Sequence, residues 1–209
     1  MKHIIQHSYF EAVADVNETW AKLKSIKNYR EDVGVALFAR MFDFAPAVWS
    51  AFPWGRGIKS GSDLKENKEF VAFARRFMGM LDMAIDMLGP DMDMVEEELQ
   101  RLGIVHIGYG VMPKHYPLMG KALVEVLEEK LGSRFFSKQH HESWNTMYTF
   151  MSVSMMQGAF QLLVNAQTKA EQLEDELQEL KIQKSDAVLV KKKKQDRIPS
   201  LTSSTSSSC

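Results

Sequence analysis

A chain of 209 residues, 45% hydrophobic and 25% charged with a formal net charge of −1, has the balance of one ordinary globular domain with an appendage; it lacks the charge excess that draws a whole protein to nucleic acid. No run approaches the roughly 18 uncharged apolar residues of a membrane-spanning helix, and the opening MKHIIQHSYF is too polar for a secretory signal, so a cytoplasmic protein without membrane insertion is expected. The single cysteine, Cys209, excludes disulfides within the chain and thiolate-held zinc or iron–sulfur clusters, which leaves histidine and oxygen as metal ligands.

Prolines 46, 53, 90, 113, 117 and 199 punctuate long stretches with helical spacing, no alternating strand pattern of useful length occurs, and the class expected is all-α. His3 and His7 have the four-residue spacing of a metal pair, but in a terminal segment prone to fray. Asn17-Glu18-Thr19 matches a glycosylation acceptor, without consequence in a cytoplasmic helix. Phe70, Phe73, Phe77, Leu81, Ala84 and Leu88 recur at three- and four-residue steps and predict one apolar helix face. Asp93 and Glu96 resemble a capping box that opens a helix carrying Val95, Leu99 and Leu102. Leu118, Ala122 and Val126 lead another helix, and Trp144, Met147, Met151, Met155 and Leu162 mark a third. His140, His141 and Glu142 are adjacent and point in different directions on a helix, which argues against a shared metal.

From about Gln167 the sequence turns charged and amide-rich. Ala166, Ala170, Leu173, Leu177 and Leu180 alternate by four and three, the step of a coiled-coil seam, and residues 166–180 offer self-association or a partner helix; a solvated extension reads equally well. Lys191 to Lys194 and the Ser/Thr run to Cys209 lack the apolar residues to fold. The boundaries expected are therefore a folded domain over 1–166, a charged helical extension over 167–190 and a disordered basic and Ser/Thr-rich tail over 191–209.

His106 continues the Val95, Leu99, Leu102 stripe at a four-residue step, so its imidazole is expected to point inward. A lone histidine there suits a satisfied core residue as well as a ligand. Among metal centres it suits haem, where the porphyrin supplies four nitrogens and the protein one axial ligand; zinc needs three or four side chains.

The stretch LGIVHIGYGVMPKHYPLMGKAL, residues 102–123, resembles the proximal helix and turn of globins. LFARMFDFAPAVWSAFPW, residues 37–54, resembles the globin segment in which a proline, here Pro46, opens a short helix and a phenylalanine, here Phe52, packs on the porphyrin. Trp20 matches the first globin helix, Trp144 and Tyr148 the last, and the likeness spans roughly residues 10–165, with a texture closest to the neuroglobin and cytoglobin branch. The resemblance implies a globin fold, haem b as cofactor, His106 as its iron ligand, and Leu102 and Val111 beside it. It also implies a departure: the usual distal histidine is replaced by Phe73, with Phe38 and Phe77 for company, and no histidine lies between His7 and His106 to act as a second ligand. Arg76, three residues past Phe73, is then the nearest candidate donor to a gas ligand, although a haem propionate or water suits it equally; Lys114 and His115 are further candidates for a propionate.

Three readings of function follow. The first is reversible binding of dioxygen or another diatomic gas, for carriage or storage. A gas sensor signalling through the C-terminal helix is the second. The third is a nitric oxide dioxygenase or peroxidase dependent on an external reductant, disfavoured because Phe73 is no acid–base group.

Overall fold

The computed structural model describes residues 2–46, 48, 52, 64–89 and 92–195, with the side chains of 2–8, 192, 194 and 195 left aside. Pro53, Pro90, Pro199, the side chains of His3 and His7 and the Ser/Thr-rich run ending at Cys209 lie outside this description. Among the described residues there are six helices and no strand: α1 (Lys2–Lys24), α2 (Tyr29–Phe44), α3 (Lys68–Asp86), α4 (Met92–Gly108), α5 (His115–Leu131) and α6 (Lys138–Gln195). The chain divides into two compact units, Met1–Gln161 and Leu162–Cys209.

In the first unit each helix buries one stripe. On α1 this is Tyr9, Val13, Val16, Trp20 and Leu23, spaced by three and four as a 3.6-residue repeat requires. Asn28, left-handed at φ 58°, turns the chain into α2; asparagine tolerates that region better than most residues. Helix α2 then buries Val33, Leu37, Phe38, Met41 and Phe42. Arg40 ties it to α5 through Glu125 at 2.7 Å and Glu129 at 3.0 Å. Pro46 opens a single turn, closed by Val48 N–H donating to Ala45 O at 3.0 Å. Asn67 caps α3, its side-chain oxygen accepting from Phe70 N–H at 3.0 Å.

Two expectations are corrected. The deeply buried line of α3 runs through Phe70, Ala74, Met78, Asp82 and Ile85, while Phe73, Phe77, Leu81 and Ala84 stand half-buried beside it. The helix is apolar on two adjoining faces, and spacing alone does not rank them. Asp93 lies inside the first turn of α4, which begins at Met92, so its carboxylate faces the positive end of the helix dipole from within the turn.

Asp82 is buried, and it is the junction of three helices. Its Oδ1 accepts from Trp20 Nε1 at 2.9 Å on α1, and its Oδ2 from Tyr29 Oη at 2.7 Å and Arg30 Nε at 2.8 Å on α2. Trp20 packs against Trp144 of α6 at 5.7 Å between ring centroids, and Trp144 Nε1 donates to Thr19 Oγ1 at 2.9 Å. A buried carboxylate is tolerable because every donor around it is used.

Helix α4 crosses α6 with main chain against main chain. A Cβ on Gly103 would fall on the backbone of Met155, and one on Gly158 on the backbone of Gln100. Each helix thus presents a glycine to the other, three residues from the point where it receives its partner's.

In the second unit α6 continues to Gln195 with its described side chains exposed, Leu173, Leu177 and Leu180 among them. The helix includes Lys191–Lys194, which composition had assigned to the tail; cations at a helix C-terminus are favoured by its dipole.

Two stability measurements test this packing. Asp82→Ala strands the buried Trp20 indole N–H and is expected to cost about 2–3 kcal/mol in urea unfolding; a loss below about 0.5 kcal/mol would mean that the junction does not hold the helices together. Gly103→Ala forces α4 off α6 and is expected to cost about 1–3 kcal/mol, whereas Gly108→Ala, whose Cβ meets nothing within 4 Å, should be neutral or slightly stabilising. Equal behaviour of the two would refute the close crossing.

Candidate functional site

His106 sits in the last turn of α4, half-buried. Its Nδ1 lies 2.8 Å from Leu102 O. A carbonyl only accepts, so in the neutral ring the proton belongs on Nδ1 and Nε2 carries the lone pair; among the described residues Nε2 has no hydrogen-bond partner. Leu102 therefore reaches the histidine through its main chain, while its half-buried side chain packs against the core.

The chain immediately after the histidine is held just as tightly. Val111 N–H donates to His106 O at 3.0 Å and Gly110 N–H to Ile107 O at 2.9 Å, with Gly110 at φ 76°. This is a Schellman ending, in which glycine occupies the left-handed position at no steric cost. It fixes half-buried Val111 one bend away from the imidazole. The His106 ring also stacks on Tyr116 of α5, 6.3 Å between centroids and 29° between planes.

A second cluster gathers the phenylalanines. Phe38 lies 4.9 Å from both Phe73 and Phe77, and Phe52 lies 5.3 Å from Phe73 and 6.4 Å from Phe38, centroid to centroid. These rings offer neither a donor nor a metal ligand. The structure thus unites Phe38, Phe52, Phe73 and Phe77 in one group, and Leu102, His106 and Val111 in another.

Arg76 joins neither group. Its side chain is exposed, lining an open depression with Arg30, Ala72, Arg75 and Gly79. On a helix advancing about 100° per residue it stands roughly 60° from Phe73, at the border between the Phe73–Phe77 face and the Ala72–Arg75–Gly79 face. His115 accepts at Nδ1 from Met112 N–H at 3.0 Å, and burial first, then the neighbouring Lys114 charge, pushes its pKa below the ordinary imidazole value. His140 and His141 have separate polar partners, Ser137 N–H at 3.0 Å and Glu128 at 3.1 Å, and share only the Phe136 ring.

Sequence reasoning missed Tyr116, and it missed an apolar rim. Val105, Tyr109 and Met112, next to or just beyond His106, are 50%, 76% and 52% exposed, and Met80, on the Phe73–Phe77 face of α3, is 47% exposed. Apolar side chains bared on both elements that carry candidate residues fit an apolar ligand that would cover them. The signal available was adjacency, since Val105 and Tyr109 flank His106 in the chain. Among the described residues no three His, Cys, Asp or Glu side chains gather to hold a bare metal ion. One imidazole with a free Nε2, beside apolar walls, fits a metal that brings its own equatorial ligands, and haem is such a group.

The chain is similar to the neuroglobin of Tetraodon nigroviridis, 29% identical over 125 residues that cover 60% of this chain and 77% of that protein. It is similar to the neuroglobin of Danio rerio, 25% identical over 143 residues, 68% and 87% of the two chains, and to neuroglobin-2 of Oncorhynchus mykiss, 27% identical over 125 residues, 60% and 77%. The globin family profile matches residues 35–155, more than half of the chain, a span that runs from within α2 into α6 and contains both the phenylalanine cluster and His106. The chain belongs to the globin family.

Proposed function

We propose that this globin holds haem b through Nε2 of His106 and reversibly binds dioxygen or another diatomic gas. The observation that carries the reading is the 2.8 Å contact of His106 Nδ1 with Leu102 O, which sets the tautomer an iron ligand needs and holds the ring in one orientation. Held there, haem would supply an iron able to take up a diatomic gas.

The chain's own residues then have distinct tasks. His106 would ligate the iron through Nε2, with Leu102 and Val111 in the same stretch of chain. Phe52 packs on the porphyrin, while Phe38, Phe73 and Phe77 form a wall that excludes water from the gas side. With Phe73 in the distal position, the wall would contribute no ligand to the iron. Phe73 also offers no acid–base group, which favours binding over peroxide or nitric oxide turnover. A sensing role is the second reading, supported by α6, which buries Met151 and Met155 in the first unit and continues as exposed helix to Gln195. Among the described residues no helix is long and apolar enough to cross a membrane, in keeping with a cytoplasmic location.

Absorption spectra of the purified ferric, ferrous and carbon monoxide forms, compared with those of His106→Gly, test the ligand. The wild type is expected to be high-spin when ferrous; the variant should lose most of its haem and regain it with added imidazole. A variant with unaltered haem content and spectrum would end the assignment, and a low-spin ferrous wild type that became high-spin in Met80→Leu would show a thioether occupying the gas position.

Arg76 tests the wall. Lying at the border of the Phe73 face with its guanidinium free to swing, it serves in this reading as the donor to a polar gas. A hydrogen bond from a charged donor contributes about 1.5–3 kcal/mol, and exposure places Arg76 at the lower end. Arg76→Leu is therefore expected to speed dioxygen dissociation roughly tenfold and carbon monoxide dissociation less than about twofold in stopped flow. Unchanged dioxygen dissociation would leave Arg76 to solvent or a propionate.

A further inference from the structure

The second unit carries a pattern that gas binding does not use. Because α6 is unbroken to Gln195, the seam can be followed beyond its most regular stretch. Leu163, Ala166, Ala170, Leu173, Leu177, Leu180, Lys184 and Ala187 occupy successive a and d positions of four heptads. Leu163, Leu173, Leu177 and Leu180 are each more than half exposed, at 58%, 55%, 53% and 53%, so nothing among the described residues covers this stripe.

The charges show what kind of helix this is. An isolated solvated helix draws support from Glu–Lys pairs three or four residues apart. Between 166 and 190 no opposite charges have that spacing. Like charges do: Glu171 with Glu174 and Asp175, Asp175 with Glu179, Glu176 with Glu179, and Lys181 with Lys184. Among the described residues Lys169, Glu174, Glu176 and Lys181 form no ion pair. These four hold the g and e positions that flank the seam. In a parallel, in-register pair the g residue of one strand meets the e residue of the next heptad on the other. That juxtaposes Lys169 with Glu174 and Glu176 with Lys181, opposite charges in both cases, and symmetry repeats each contact. The sequence is self-complementary where it is self-repelling along its own helix. Leucine at both d positions of the central heptads and lysine at an a position, Lys184, favour two strands over three or four.

We propose that residues 163–187 form a parallel two-stranded coiled coil with a second copy of this chain. The full-length protein is then a dimer in solution, with twice the chain mass of 23.9 kDa. Sedimentation equilibrium at concentrations from about 1 to 100 μM measures it. Leu173→Asp with Leu177→Asp should abolish the dimer. Lys169→Glu should weaken it roughly tenfold by setting like charges opposite each other twice, and adding Glu174→Lys should return it to within about threefold of wild type. Restoration by the exchanged pair is peculiar to the parallel register, because an antiparallel pair opposes g to g and e to e. A monomeric wild type, a dimer indifferent to the leucine changes, or an exchanged pair that fails to restore association would each overturn the proposal, as would a monomer that binds a different protein through this stripe.

Discussion

The contact on which the site depends is the main-chain crossing of α4 over α6. Gly103 lies against the backbone of Met155 and Gly158 against that of Gln100, so the separation of the two helices is set by peptide groups and not by flexible side chains. His106 follows Gly103 by less than one turn, and its height above the core is inherited from that crossing. Helix α6 is in turn fixed by Trp144, which packs on Trp20 and donates to Thr19, and Trp20 is fixed by Asp82. A chain of directional contacts thus runs from the α1–α2–α3 junction to the imidazole. Close-packed interiors transmit small displacements along such chains.

At the histidine two hydrogen bonds complete the placement, one on each side of the residue. The ring donates from Nδ1 back to Leu102 O, and the main-chain carbonyl accepts forward from Val111 N–H. The first decides which nitrogen faces outward and in what direction; the second ends the helix soon after the histidine and turns the chain at Val111. Tyr116 stacks on the ring from α5. A ligand held in this way needs little reorganisation on binding a metal, and a carbonyl partner on Nδ1 increases the basicity of Nε2.

Much of this was legible from the sequence. Helical spacing pointed to the all-α class and placed His106 on the stripe of Val95 and Leu99, and the resemblance to globins singled out the four phenylalanines that the structure brings together. What escaped were features decided by distant partners. Asp82 lies on an otherwise apolar line, and its burial depends on Trp20, Tyr29 and Arg30, more than fifty residues away in the chain. Tyr116 is likewise defined by what it stacks on. The ranking of the two α3 faces depended on how each packs on α2, Ala74 and Met78 lying against Gly34 and Phe73 and Phe77 against Phe38, a choice that periodicity does not contain. Continuation of α6 through Lys191–Gln195 was hidden because composition measures the capacity to form a core, which an extending helix does not require.

The phenylalanine cluster constrains how such a site selects among gases. A distal histidine adds a donor beside the open position, and the gain falls on polar ligands far more than on apolar ones. Rings held about 5 Å apart in tilted and edge-on pairs, as Phe38, Phe73 and Phe77 are, act through volume and exclusion of water, which bear on both kinds alike. Aromatic packing of this sort is stiff where Phe38 and Phe73 are each held by two or more other rings. In the proposed reading, selectivity for dioxygen over carbon monoxide comes from a group outside the rings that swings in when a polar ligand is present. On α3 the side chain with the reach and the charge to do so is Arg76: its stem starts at the edge of the Phe73 face, and its head is otherwise in water. Such an arm costs entropy to order, so its contribution should be smaller than that of a buried, preoriented donor and more sensitive to salt, which screens an exposed guanidinium far more than a buried imidazole.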